Sequence, residues 1–270
     1  MTLLPELKRI SEQYGFLQKR KLSQNFLVEE RVLKREASYC EPEGKTVLEI
    51  GPGFGFLTRE LALAGAKKVF AIEKDYRLIP VLEDELSSFR NVELINEDFL
   101  EAEIPKGVEV VASNVPYSIS SPVLFKLAEM SFSRAVLCLQ REFVLRMLAK
   151  PGGHDYSRLS ISSQTAFNLE LMERVPRGVF YPPPKVDSSI IRLAPSGEKL
   201  SPVEEKLLLN LFQHKKKTVR AALSDSSEPL AISKEKARAI ADSSGFSKRR
   251  VFSLSRGDLS LLASFLSANQ

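Results

Sequence analysis

The sequence predicts an α/β fold, a mostly parallel sheet covered by helices on both faces, followed by a small helical domain. Three observations predict it. Short apolar runs alternate with amphipathic runs from residue 46 to residue 149; a glycine turn follows the first apolar run; and beyond residue 195 the pattern turns helical and basic. The expected strands are Thr46–Ile50, Lys68–Ile72, Val92–Ile95, Val108–Ala112 and Ala135–Leu139. They are short and almost wholly apolar, as strands buried on both faces must be. The expected helices between them are Phe56–Ala64, Tyr76–Leu86, Pro122–Met130 and Glu142–Ala149. Leu159–Leu171 and Ser188–Leu193 read as the last helix and strands, with the proline cluster Tyr181-Pro-Pro-Pro184 between them. Ala194-Pro-Ser-Gly197 marks the expected boundary, giving domains 1–195 and 196–270. Val203–Gln213, Thr218–Leu223, Ser233–Ala241 and Asp258–Leu266 are the expected helices of the second domain.

With 270 residues, 43% hydrophobic and 27% charged, the chain is long enough to bury a core without staples. Two cysteines, Cys40 and Cys138, do not make a disulfide framework, and Cys138 lies in an apolar run; both fit a reducing cytoplasm. The N-terminus lacks the apolar stretch of a secretory signal, and no run approaches the roughly 20 apolar residues of a membrane span. His154 and His214, the only histidines, are expected in surface or loop positions, and no Cys/His spacing suits a metal. The net charge of +5 is unevenly placed: residues 1–35 carry +4, residues 199–270 carry +6, and the stretch between carries −5. Basic ends around an acidic middle suggest that the ends meet a polyanion while the middle does something else.

The glycine turn is Glu49-Ile-Gly-Pro-Gly-Phe-Gly55. Glycines there permit positive φ and let the backbone approach a ligand closely. A dinucleotide fingerprint needs its third glycine at position 56, which is Phe56; Gly55 comes one residue early. That counts against a nicotinamide-dependent oxidoreductase. The E-x-G-x-G-x-G pattern is instead similar to that of S-adenosylmethionine-binding methyltransferases, whose sheet is Rossmann-like. Glu73 ends the second strand, where a carboxylate accepts both ribose hydroxyls of a bound nucleoside. Asp98, after the third strand, is placed to receive an adenine amino group.

Ser113-Asn-Val-Pro-Tyr117 follows the fourth strand. An adenine amino nitrogen is a poor nucleophile because its lone pair is delocalised into the ring. Two acceptors can hold its hydrogens and turn the lone pair toward an incoming methyl. The Asn114 side-chain oxygen and a backbone carbonyl, of Val115 or Pro116, suit that task. Pro116 fixes the loop, and Tyr117 stacks on a flipped-out base. A sulfonium methyl is already activated, so positioning carries most of the catalysis.

Gln24-Asn-Phe-Leu27, Glu49 to Gly55, Asn114-Val-Pro-Tyr117 and Val179-Phe-Tyr-Pro-Pro-Pro-Lys-Val-Asp-Ser188 occur in this order. Together they resemble the ribosomal RNA adenine N6-dimethyltransferases, from about Gln18 to the end. Phe212-Gln-His-Lys-Lys-Lys-Thr-Val-Arg220 resembles the basic helix of the small-subunit subgroup. The resemblance implies S-adenosylmethionine as cofactor, with Asn25 and Leu27 closing over it and Gly51, Glu73, Asp98 and Asn114 lining its pocket. It implies that Phe180 faces Tyr117 across the target base. The implied catalytic group is thus Asn114, Pro116, Tyr117 and Phe180, without metal. Two departures stand out: Val115 replaces the usual Pro or Leu, and Ser23 the usual glycine.

The implied activity is N6,N6-dimethylation of two adjacent adenosines near the 3′ end of small-subunit rRNA, within ribosome biogenesis. The enzyme is expected to be a cytoplasmic monomer acting on rRNA or a pre-ribosomal small subunit. Domain 1–195, with its basic N-terminal arm, would hold the cofactor, and 196–270 would bind RNA. A large-subunit rRNA methyltransferase and a non-catalytic nucleic-acid-binding relative are the alternatives.

Overall fold

The computed structural model of the chain describes residues 1–16 and 24–268. Lys19, Arg20 and Lys21 of the basic arm, and Ser23, lie outside the described residues. By packing, the chain forms two units: Met1–Val144 with Asn168–Pro195, and Leu145–Phe167 with Ser196–Gln270.

The first unit begins with α1 (Leu4–Gln13), β1 (Phe26–Leu27) and α2 (Glu30–Cys40). Then come β2 (Thr46–Ile50), α3 (Phe56–Leu63), β3 (Lys68–Ile72), α4 (Ile79–Glu85), β4 (Val92–Ile95), β5 (Val110–Asn114), α5 (Ser120–Glu129) and β6 (Arg134–Gln140). Beyond α6 (Arg141–Leu148) and α7 (Arg158–Ala166) lie β7 (Phe167–Val175), β8 (Phe180–Tyr181) and β9 (Ser188–Pro195). The seven-stranded sheet runs in the order β4-β3-β2-β5-β6-β9-β7. β2, β3, β4, β5 and β6 are parallel, and β9 is antiparallel to β6. The strand order reverses between β2 and β5, which makes the carboxyl ends of these two strands the natural place for a ligand.

Central position dictates composition. Val47, Leu48, Glu49 and Ile50 of β2 are all buried, so the strand is apolar on both faces apart from Glu49. Helix α2 covers the sheet with Val32, Leu33, Glu36, Ala37 and Cys40, all buried. That spacing is one helical face, and a carboxylate stands in the middle of it. Helix α1 is tied to α3 and α4 by Arg59–Glu6 at 2.8 Å, Arg9–Glu85 at 3.0 Å and Tyr14–Asp84 at 2.7 Å.

Three expectations shift. The fourth strand lies two residues later than Val108–Ala112, because Asn114 still pairs in register with Cys138 of β6. Tyr76–Leu86 is a 3-10 turn, Tyr76–Leu78, followed by α4; Asp75 accepts from the Arg77 backbone N–H at its start. Leu159–Leu171 splits between α7 and β7, an edge strand whose burial alternates poorly.

The second unit holds α8 (Pro202–Gln213), α9 (Val219–Asp225), α10 (Ser227–Leu230), α11 (Lys234–Ser243) and α12 (Arg256–Ser267). Ser201, Thr218, Ser233 and Ser255 cap α8, α9, α11 and α12, each accepting a backbone N–H of the first turn. Ser201 with Glu204 and Ser255 with Asp258 form reciprocal capping boxes. A single cut after residue 195 leaves 145–167 with the sheet, yet Tyr156 and Ile161 join the apolar core of these helices. Tyr156 Oη also donates to the Leu254 carbonyl at 2.9 Å. The basic run Lys215–Lys217, expected on a helix, occupies the turn between α8 and α9, because Thr218 starts a new helix.

Candidate active site

A cavity of about 320 Å³ lies where β2, β3 and β5 end. It is lined by every residue singled out from the sequence: Asn25, Leu27, Gly51, Glu73, Asp98, Asn114, Pro116, Tyr117 and Phe180. The glycine turn shapes its floor. Gly53 has φ +60°, and a Cβ there would stand 2.9 Å from a Phe26 ring carbon. Its N–H donates to Glu73 Oε2 at 3.2 Å, while the Asp75 N–H donates to Glu73 Oε1 at 2.8 Å. Two N–H donors orient the Glu73 carboxylate and leave a lone pair on each oxygen. Burial pushes Glu73 up to about 7, against the pull of those N–H groups.

Asp98 is partly exposed. Its carboxylate accepts from the Leu100 N–H at 3.0 Å and pairs with Lys74. Burial raises the Asp98 carboxyl, but Lys74 and Leu100 outweigh it and hold the group below its ordinary value. Lys74 is 66% exposed, so its ammonium is free to swing into water when a ligand takes its place.

Two distant segments close one side. Phe26 pairs with Tyr181 and Leu27 with Phe180 in a two-stranded antiparallel sheet, so the Gln24–Leu27 and Val179–Ser188 segments form one wall. Gln24 Nε2 donates to Asp75 Oδ2 at 2.9 Å, which fastens that wall to the end of β3. The rings of Phe26 and Phe54 meet edge-on at 4.7 Å. Tyr117 Oη and Ser188 Oγ share a hydrogen bond of 2.7 Å that fixes the tyrosine ring. Burial raises the Tyr117 hydroxyl, so it stays neutral.

Asn114 ends β5 at the cavity. Its Nδ2 donates to Glu36 Oε2 at 3.2 Å. Its Oδ1 is buried and has no hydrogen-bond partner among the described residues. Sequence reasoning missed Glu36. The available signal was a glutamate on the apolar stripe of α2, where an ordinary core position belongs. Glu36 and Glu49 are both pushed up to about 8, chiefly by burial. Among the described residues, no group of three or more His, Cys, Asp or Glu is arranged to hold a metal. No helix among them is long and apolar enough to cross a membrane.

The donor set fits a nucleoside carrying a sulfonium. Glu73 offers free lone pairs beside close-approach glycines, and Asn114, whose Oδ1 has no hydrogen-bond partner among the described residues, lines the same cavity. A parallel sheet that opens such a cavity at its switch point is that of the S-adenosylmethionine-dependent methyltransferases, and this chain is one of them.

Comparison with known proteins narrows the class. The family model described as "Ribosomal RNA adenine dimethylase" matches residues 15–255. A "Probable ribosomal RNA small subunit methyltransferase A" of Thermococcus sibiricus is 46% identical over 250 residues, 91% of this chain and 90% of that protein. A dimethyladenosine transferase from Plasmodium falciparum superposes with TM-score 0.77 at 30% identity, covering 88% of this chain and 95% of that one. The 23S rRNA methyltransferase ErmE superposes with TM-score 0.68, also at 30% identity, covering 90% and 100%. The chain belongs to the ribosomal RNA adenine dimethylase family. It is an rRNA adenine methyltransferase.

Proposed function

We propose that the enzyme converts two adjacent adenosines near the 3′ end of small-subunit rRNA to N6,N6-dimethyladenosine. The observation that carries this reading is the Asn114 amide, with its nitrogen held from behind and its buried oxygen unpartnered beside Tyr117 and Phe180. Bound S-adenosylmethionine would supply an activated sulfonium methyl for N6, with S-adenosylhomocysteine as the leaving group and the N6 proton passing to solvent. The rest falls to the chain. Glu73 accepts the ribose hydroxyls, and Asp98 accepts the adenine amino group of the cofactor. Asn25 and Leu27 cover the cofactor, with Gly51 letting the backbone approach. Asn114 Oδ1 and the carbonyl of Val115 or Pro116 accept the two N6 hydrogens of the target base. Tyr117 and Phe180 hold its faces. After one transfer a hydrogen remains on N6, and the flat walls with the small Ser118 are read as room for a second methyl, whereas Ser120 does not line the cavity.

The names of the most similar relatives favour the small subunit. The equal identity to ErmE and to the Plasmodium enzyme makes the large subunit the second reading. We infer further that the helical unit binds RNA through its basic residues and that the enzyme is a monomer in the cytoplasm, a reading with which two free buried cysteines agree. The test is exhaustive reaction with labelled S-adenosylmethionine on each unmethylated subunit, then mass spectrometry of digested RNA. Dimethyladenosine in small-subunit RNA is expected. Monomethyladenosine alone, or label only in large-subunit RNA, overturns the reading.

A further inference from the structure

The Glu36 carboxyl is wholly buried on the sheet-facing side of α2. Its Oε2 accepts from Asn114 Nδ2 at 3.2 Å, and its Oε1 has no hydrogen-bond partner among the described residues. No ion pair reaches it among those residues. The groups that face it are Glu49 on β2, Asn114 on β5, Cys138 on β6, Glu173 on β7 and Cys40 a turn further along α2. On α3, Thr58 stands against Glu49, Arg59 pairs with Glu6, and Glu60 lies near Lys34. The two thiols are pushed up by burial and stay neutral. A buried carboxyl with acidic neighbours costs stability, and an apolar side chain of the same size ordinarily serves such a position better. Packing therefore does not account for Glu36.

Its contact does. A primary amide rotated by half a turn exchanges its oxygen for its nitrogen in almost the same volume. What lies behind Asn114 decides which end faces the cavity. A carboxylate only accepts, so it holds the amide nitrogen and leaves the oxygen outward. An adenine amino group is a donor, and only the oxygen can receive it. We propose that Glu36 is a positioning residue, which accepts a hydrogen from Asn114 Nδ2 and so keeps Asn114 Oδ1 turned toward the target base. The inference rests on the reading that Asn114 Oδ1 accepts an N6 hydrogen.

The protonated acid is a weaker guide. Its O–H is able to donate to Asn114 Oδ1, which turns the amide nitrogen to the cavity and sets donor against donor. Burial pushes Glu36 up to about 8. The transfer rate therefore rises as pH climbs through that value and the acid ionises.

The experiment is single-turnover methyl transfer to small-subunit rRNA at saturating cofactor, for wild type, Glu36→Gln and Glu36→Leu, with cofactor affinity and melting temperature alongside. Glu36→Leu is expected to slow transfer by roughly tenfold to a hundredfold, the scale of a misaligned reacting group. Its cofactor Kd should stay within about twofold, with no drop in melting temperature, as expected when a buried acid becomes apolar. Glu36→Gln keeps an acceptor but adds an N–H donor, so its rate should lie between that of Glu36→Leu and that of the ionised wild type, near the wild-type rate at low pH. Its profile should be flat between about pH 7 and 9, where wild type climbs. Transfer by Glu36→Leu at the wild-type rate overturns the inference. So does a loss of cofactor affinity equal to the loss of rate, or a Glu36→Gln profile that climbs like wild type. If wild type itself places no methyl on N6, the proposed function fails instead, which separates the two.

Discussion

The two units treat their polar groups in opposite ways. In the helical unit, most side-chain oxygens sit where local rules put them, with the buried Thr165 Oγ1 an exception. Ser201, Thr218, Ser233 and Ser255 cap helices, and Lys217–Asp225, Arg220–Asp242 and Arg249–Asp258 pair at 2.7, 3.2 and 2.9 Å. In the sheet unit, Glu36, Glu49 and Asn114 each bury an oxygen without a hydrogen-bond partner, and Gly51, Gly53 and Gly55 take positive φ in a row of five residues. Local consistency marks a part built by local rules, which leaves its surface charges available for binding. Local violation marks the part that has to bind and react. Among these, Glu49 and Asn114 line one cavity and Glu36 contacts Asn114, which is the reason to read the three together as part of a site.

The largest effect expected from breaking this contrast is at Asn114. Asn114→Ala should lower the single-turnover rate by roughly a hundredfold or more, with both binding constants little changed, because its hydrogen bonds matter most in the transition state. Stopped reactions with labelled cofactor measure it, and a rate within twofold of wild type removes Asn114 from catalysis.

Glu73 comes next. Glu73→Ala should weaken S-adenosylmethionine binding by about 2–3 kcal/mol, the scale of lost charge-assisted hydrogen bonds. Calorimetric titration reads it directly, and RNA affinity should hold.

A third measurement sharpens the contrast through pH. Glu36, Glu49 and Glu73 sit near 8, 8 and 7 in the folded chain, against a carboxyl's ordinary 4.5. Between about pH 4.5 and 8 the folded unit keeps protons that the unfolded chain has released, so its stability falls as pH rises through that window. In the helical unit the balance runs the other way. Burial raises Glu204 and Asp258, but Ser260 and Ser201, and Arg249 and Ser255, hold them below their ordinary values. Their contribution is present above the ordinary carboxylate range and is lost as pH falls through the lowered values. Hydrogen exchange, corrected for the intrinsic rate, should show the sheet less protected at about pH 8 than at about 5. The helical unit should lose protection only on the acid side. Parallel behaviour of the two units would refute the contrast.

The smallest effect belongs to the basic turn. Neutralising Lys215, Lys216, Lys217 and Arg220 should weaken RNA binding and flatten its salt dependence by somewhat under one unit of slope per lost phosphate contact. Three of the four have partners already: Lys215 with the His154 and Tyr156 carbonyls, Lys217 with Asp225, and Arg220 with Asp242. Lys216→Ala alone should therefore retain a visible share of the effect. An unchanged salt slope in the quadruple variant would make the turn a solvated surface.

The strands β2, β3 and β4 were legible residue by residue, because each is a short, mainly apolar run with clear ends, although only β2 is buried nearly throughout and β4 is an edge strand. The edge strand β7 was read as part of a helix. With solvent on one side and poor alternation, its residues satisfy neither period cleanly. Gly51, Glu73, Asp98 and Asn114 were legible because each stands at or just after a strand end, where an α/β sheet places its ligands, whereas Asn25, Leu27 and Phe180 came only from the family resemblance. Glu36 was missed although it interrupts the apolar stripe of α2, because that stripe is a signal only once the helix is known to lie against the sheet.

By itself the sequence determined the central parallel strands, the glycine turn and the residue types able to hold a nucleoside and an amino group. Those follow from periods of two and 3.6 residues and from the chemistry of single side chains. Only the tertiary structure decided that Leu27 would pair with Phe180, that Asp75 would hold Gln24, and that Glu36 would stand behind Asn114. Each of those contacts joins residues far apart in the chain. Their distance is set by how α2 lies on the sheet and how the chain returns through β8, and no local pattern encodes that.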